Sequence, residues 1–190
     1  MNGPLHKQKR GYLPHYDSEA LTQFITFRLA DSLPASIYKT LQFKLRTKQI
    51  SEIEYHHAIE RALDVGGGKK FLNDPRIARL MAEALIKFDD ERYRLLAWVV
   101  MPNHVHLLLK TINDYSLASI IHSIKSYTST QSNKILLRQG QFWTADYFDR
   151  FIRDRVHFDR VKRYIENNPL KAGLCELPEE WPWGSKGYKG

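Results

Sequence analysis

Apolar positions along the chain follow two periods. The densest run is Trp98-Val-Val-Met-Pro-Asn-His-Val-His-Leu-Leu-Leu109. Runs like this one predict strands buried on both faces. Tyr93 to Met101 and His104 to Leu109 read as two strands, with Met101-Pro-Asn103 as the turn of a hairpin. Phe24-Ile-Thr-Phe-Arg-Leu29 is β-branched and aromatic, and predicts an earlier strand. A further strand is expected within Trp143 to Ile152. Helical spacing accounts for most of the rest. Ile37, Leu41 and Leu45 recur every four residues, in a helix expected from Ala35 to about Asp64 and broken at Val65-Gly-Gly-Gly68. Asp74 and Pro75 are a cap and a first-turn proline. They begin a helix that Ile77, Leu80, Met81, Ala84, Leu85 and Phe88 carry to about Asp89. Leu117, Ile120, Ile121 and Ile124 predict a helix from Ser116 to about Leu137. Phe158, Val161 and Ile165 predict another from Asp154 to about Asn168, closed by Pro169.

Taking residues 35–70 as a helical insertion leaves a split β-α-β order. The expected class is α+β, a ferredoxin-like core with an antiparallel sheet and helices on one face. Residues 1–190 read as a single domain. It carries a basic N-terminal arm (1–20), the insertion (35–70) and an aromatic tail (175–190). The tail, with Trp181-Pro-Trp-Gly184, is expected to pack back on the body.

Composition adds a bias. Lys and Arg number 29 against 21 Asp and Glu, a net charge of +8, with a pI near 9.5. Such a surface favours polyanions, nucleic acid first. The single cysteine, Cys175, rules out an internal disulfide and a cysteine-built zinc site. The first ten residues lack the apolar stretch of a secretory signal, and no run reaches the roughly 18 apolar residues of a membrane span. A cytoplasmic, nucleoid-associated protein without a membrane partner is expected. Val65-Gly-Gly-Gly68 is followed by no Gly-Lys-Ser/Thr, so it reads as a hinge and not as a phosphate-binding loop.

Two elements carry candidate chemistry. Strand period puts His104 and His106 on one face and Val105 on the other. Paired neutral imidazoles suit a divalent metal, though two satisfied core histidines would produce the same pattern. On the last helix, about 100° per residue aligns His157, Arg160, Tyr164 and Asn168 in one stripe beside the apolar face. A packed tyrosine and a capping asparagine are the plain alternative there.

Together these stretches resemble a known family. Met101-Pro-Asn-His-Val-His-Leu-Leu-Leu109, followed some sixty residues later by Tyr164-Ile-Glu-Asn-Asn-Pro-Leu-Lys-Ala-Gly-Leu174, resembles the single-tyrosine transposases of the insertion-sequence 200 type, within the His-hydrophobic-His nuclease superfamily. Phe142-Trp143, Tyr147-Phe-Asp-Arg150, Arg153-Asp154 and the Trp181-Pro-Trp tail resemble the REP-associated branch. Residues 35–70 resemble nothing specific. The resemblance implies Tyr164 as nucleophile and His104, His106 and Asn168 as ligands of Mg²⁺ or Mn²⁺. It implies cleavage and strand transfer of single-stranded DNA hairpins through a 5′-phosphotyrosine, by a monomer or a homodimer.

Candidate DNA contacts are Arg10, Tyr12, Lys44, Arg46, Lys125, Trp143, Arg150, Arg153, Arg160 and Lys171. The cations among them would neutralise phosphates, and Tyr12 and Trp143 would stack on unpaired bases. Two other readings remain open: a hairpin-binding protein without cleavage, and an RNA-binding protein, ranked last because the strands lack the aromatic pair of RNA-recognition sheets.

Overall fold

The computed structural model describes residues 21–65 and 68–190 in full, and the backbone alone of His6–Arg10 and Leu13–Asp17. Those two short segments, β1 and β2, pair antiparallel, so part of the expected N-terminal arm is a hairpin.

Four strands make the central sheet: β3 (Thr22–Arg28), β4 (Tyr93–Val100), β5 (His104–Thr111) and β6 (Phe148–Phe151). Their spatial order is β4-β5-β3-β6, with every pairing antiparallel. The α+β class and the β4–β5 hairpin are as expected. The last strand is shorter than Trp143–Ile152, because Trp143 makes only an isolated bridge to Leu29 before the chain turns.

The β5 residues alternate between two apolar layers, as a strand buried on both faces requires. Val105, Leu107 and Leu109 meet α3 (Pro75–Ile86) and α4 (Leu117–Ile135) on one face. Leu108, with Phe24, Ala97 and Val99, meets α5 (Arg155–Glu166) on the other. Helices on one face therefore describes only α3 and α4. The amphipathic α5, apolar at Phe158, Val161 and Ile165, closes the second face.

The helix starts follow local chemistry. Asp74 accepts from the Arg76 amide with Pro75 in the first turn of α3, and Asp154 accepts from the His157 amide at 2.7 Å to begin α5. Pro169 does more than stop a helix. It occupies the first turn of a short new one, α6 (Asn168–Lys171), where a missing N–H costs nothing.

The insertion is two helices, not one: α1 (Ala35–Arg46) and α2 (Glu52–Val65). Lys48 takes a positive φ of 56° between them. Ser51 and Glu54 then form a capping box, with the Ser51 amide donating to Glu54 at 2.8 Å and the Glu54 amide to Ser51 at 3.2 Å. Tyr38, Leu41 and Leu45 of α1 pack on Tyr55, Ile59 and Leu63 of α2. The chain returns beside its point of departure, where the Lys69 amide donates to the Asp31 carbonyl at 2.7 Å.

The tail docks on β4. The Val100 amide donates to Trp183 O, the Ser185 amide to Trp98 O and the Trp181 indole to Val100 O. These bonds cover a strand edge that would otherwise offer free donors and acceptors.

Close approach at the neck of the insertion makes Gly68 irreplaceable. A Cβ there would lie 2.3 Å from the Ser32 carbonyl carbon and 2.4 Å from Asp31 O. Gly68→Ala should lower stability by roughly 1–3 kcal/mol through forced backbone separation. Urea denaturation measures this, and an unchanged midpoint would refute the tight neck.

Candidate active site

The β3–β5 register sets the floor of the site. Thr26 lies directly opposite His106, and its hydroxyl sits 2.8 Å from His106 Nδ1. His104 is held from the other side. Asn103 Nδ2 donates to the Leu63 carbonyl at 3.0 Å, which leaves Asn103 Oδ1 to accept from His104 Nδ1 at 2.7 Å. His104 Nε2 is then a bare lone pair. It points at His106 Nε2, 3.0 Å away. Both rings are fully buried. Burial holds both below the ordinary histidine value, His106 at about 4, and His106 further depresses His104. Both are therefore neutral at neutral pH, the form that binds metals.

Tyr164 lies over this pair. Its ring centroid is 5.4 Å from His106 and 6.0 Å from Phe24. Glu60 and Asn168 are the polar side chains that act on its hydroxyl, and Glu60 lines the same cleft as Tyr164. Burial, and then the negative charges of Glu60 and Asp64, push the Tyr164 phenol well above its ordinary value.

The residues fit a divalent ion on three counts. Two imidazole nitrogens 3.0 Å apart match neighbouring ligands of an octahedral site, which are separated by about 3 Å when each bond is ~2.1 Å. Asn168 is 3 % exposed, yet among the described residues its Oδ1 has no hydrogen-bond partner. Buried amide oxygens left so need a ligand. Each imidazole is also fixed through its second nitrogen, as metal-bound histidines are. Among the described residues no three His, Cys, Asp or Glu side chains are grouped for a metal, so an ion would rest on the two imidazoles and the Asn168 amide.

Beside Tyr164 opens a cleft of about 240 Å³, where Arg150, Arg153, His157 and Arg160 face His56, His57 and Glu60. Four sequence-predicted residues therefore converge at the centre: His104, His106, Tyr164 and Asn168. Arg150, Arg153 and Arg160 line the approach, and Lys171 Nζ sits 5.1 Å from the Tyr164 ring.

Other expected DNA contacts stand elsewhere. Trp143 is a correction. It is buried, its indole donates to Thr128 at 2.9 Å, and it packs edge-on to Phe27, so it cannot stack on bases. Lys125, half-buried and held down to about 8 by that burial, donates to the Ala145 and Asp146 carbonyls, tying down a loop. Lys44 and Arg46 are solvent-exposed on α1. Tyr12 and the Arg10 side chain lie outside the described residues.

Residues 69–168 match the family described as "Transposase IS200 like". The chain belongs to this family. A chain of Haemophilus influenzae named for the REP-associated tyrosine transposases is 27% identical over 103 residues, 49% of this chain and 58% of that one. The REP-associated tyrosine transposase of Escherichia coli K12 is 26% identical over 109 residues, 56% of this chain and 63% of that one. This transposase-family chain thus spans about three fifths of the length of the curated relatives it matches. A solved REP-associated tyrosine transposase bound to a REP hairpin shares the fold at a TM-score of 0.57 and 18% identity. The likeness covers 95% of this chain and 82% of that one.

The family match starts after α2, so the residues that sequence reasoning missed are those α2 contributes. His56, Glu60 and Asp64 recur at i, i+4 and i+8, a polar stripe next to the apolar Tyr55, Ile59 and Leu63. That spacing was readable; its placement against Tyr164 was not. His56 stacks on Phe148 at 3.5 Å between centroids, and its Nε2 lies 2.8 Å from Glu60 Oε1.

Burial alone would raise the Glu60 carboxyl, but His56, His106 and the Tyr164 hydroxyl together hold it at about 2, below the ordinary 4.5. A depressed carboxyl adds stability that is complete above its ordinary value and is lost as pH falls toward the folded one. Glu60→Gln should therefore shrink the fall in melting temperature between about pH 5 and about pH 2.5. Equal falls in both proteins would refute the buried, charged Glu60.

Proposed function

We propose that this chain is a metal-dependent DNA strand transferase that cuts single-stranded, REP-like hairpins and holds the 5′ end on Tyr164. What supports this reading is that Tyr164 stands over His106, which is bonded to His104, and lines a cleft with Arg150, Arg153 and Arg160.

Arg150, Arg153 and Arg160 attract the phosphodiester backbone and direct one phosphate inward. His104, His106 and Asn168 would hold Mg²⁺ or Mn²⁺, which would supply Lewis-acid withdrawal of charge from the phosphate. As the Tyr164 oxygen bonds to phosphorus it gives its proton to solvent, and as the bond from phosphorus to the 3′-oxygen breaks that oxygen takes a proton from solvent, leaving a 5′-phosphotyrosine and a free 3′-hydroxyl. The new ester keeps the energy of the broken one, so a second 3′-hydroxyl can reverse the step on another strand without ATP. The basic net charge supports a nucleic-acid substrate, and among the described residues no helix is long and apolar enough to cross a membrane.

Incubation with labelled single-stranded hairpins and Mn²⁺ should produce a covalent protein–DNA band on a denaturing gel. Tyr164→Phe and EDTA should each abolish it. His104→Ala or His106→Ala should reduce it at least a hundredfold. Asn103→Ala, which frees the His104 ring, should weaken Mn²⁺ binding by about 10–100-fold. No band on any hairpin of a broad panel would reject cleavage, and binding without a band would identify a non-catalytic hairpin binder.

A further inference from the structure

We infer that the α1–α2 insertion completes the active site, and that Glu60 is the positioning residue for the Tyr164 hydroxyl, itself set in place by His56. The inference rests on the transferase reading but uses residues outside the stretch that defines the family.

Three observations lead to it. First, Glu60 is 7 % exposed, a burial that carboxylates reach only with partners. His57 Nδ1 bonds one of its oxygens at 3.4 Å, His56 Nε2 lies 2.8 Å from the other, and Tyr164 lines the same cleft. Second, His56 is not free to drift. It lies flat against Phe148 of β6 and edge-on to Phe24 of β3, so the helix is registered on the sheet by ring contacts from two strands. Third, the same helix fixes the histidine floor, because the Leu63 carbonyl at its C-terminal end orients Asn103 and hence His104. One rigid element therefore sets both the nucleophile and the ring it must work beside.

A phenol turns about its Cα–Cβ bond and swings its oxygen through several ångströms. Asn168, at the start of α6, acts on that oxygen from the element that follows the one carrying Tyr164. Glu60 reaches the same cleft from a separate element, α2. Two contacts from different elements leave the oxygen one position, and misplacement by about 1 Å is enough to cost about a hundredfold in rate.

The test uses the full chain and any hairpin of the panel that the wild-type protein cleaves with Mn²⁺. Glu60→Ala should slow adduct formation about 10–100-fold while the hairpin Kd, measured without metal, stays within twofold. Glu60→Gln keeps an acceptor oxygen at the same reach and should recover the rate to within a few-fold of wild type. A readout independent of cleavage is a double-mutant cycle on thermal unfolding. Glu60→Ala should lower the melting temperature less in a Tyr164→Phe background than in the wild type. An unchanged adduct rate in Glu60→Ala, a Kd that weakens as much as the rate falls, or additive melting shifts would each overturn the inference. Failure of the wild-type protein to cut any hairpin would instead reject the transferase reading, and the melting cycle would still decide whether Glu60 holds Tyr164.

Discussion

A buried line of polar groups cannot be left unpaired, and in this protein that requirement organises the molecule. The line runs from the Leu63 carbonyl through Asn103 to His104, across to His106, and on to Thr26. Every link is a hydrogen bond, and the central one joins His104 Nε2 to His106 Nε2 at 3.0 Å. Partly satisfied polar networks are costly in a low-dielectric interior. The buried Asn168 Oδ1, by contrast, has no hydrogen-bond partner among the described residues, and a cation held with the two imidazoles would give it one.

From that constraint the surrounding architecture follows. The antiparallel β3–β5 register brings Thr26 opposite His106, and a shift by one residue would turn both histidines into the α3–α4 layer. The second face of the sheet needs an apolar cover, and α5 provides it with Phe158, Val161 and Ile165. The polar edge of the same helix then falls over the histidines. The apolar residues of α5 bind the helix, and their spacing aims Tyr164.

Sequence patterning was a good guide where a single element determines the outcome. The His104–His106 strand, the Asp74 and Asp154 caps and the stripe of His157, Arg160 and Tyr164 were all legible from period and capping chemistry. Patterning was a poor guide where the outcome depends on which elements meet. Trp143 has the composition of a base-stacking residue, but the Thr128 hydroxyl and Phe27 claim it for the core. The helix break at Lys48 was signalled by Ser51 and Glu54, a capping box inside a run read as one helix. His56 and Glu60 show an ordinary i, i+4 pattern. Only the fold reveals that their helix is laid against Tyr164, because no local rule relates residue 60 to residue 164.

The neck of the insertion has a consequence for how such a protein diversifies. The chain departs at Asp31 and returns at Lys69 with the two backbones in hydrogen-bond contact, so the sheet experiences the excursion as a nearly closed loop. The entropy of closing a loop grows only slowly with its length. An ancestral chain could lengthen, shorten or exchange this segment while the strand order stayed intact. Descendants of one scaffold would then inherit the histidines and the tyrosine unchanged and acquire different roofs above them, each a separate solution to holding the same hydroxyl.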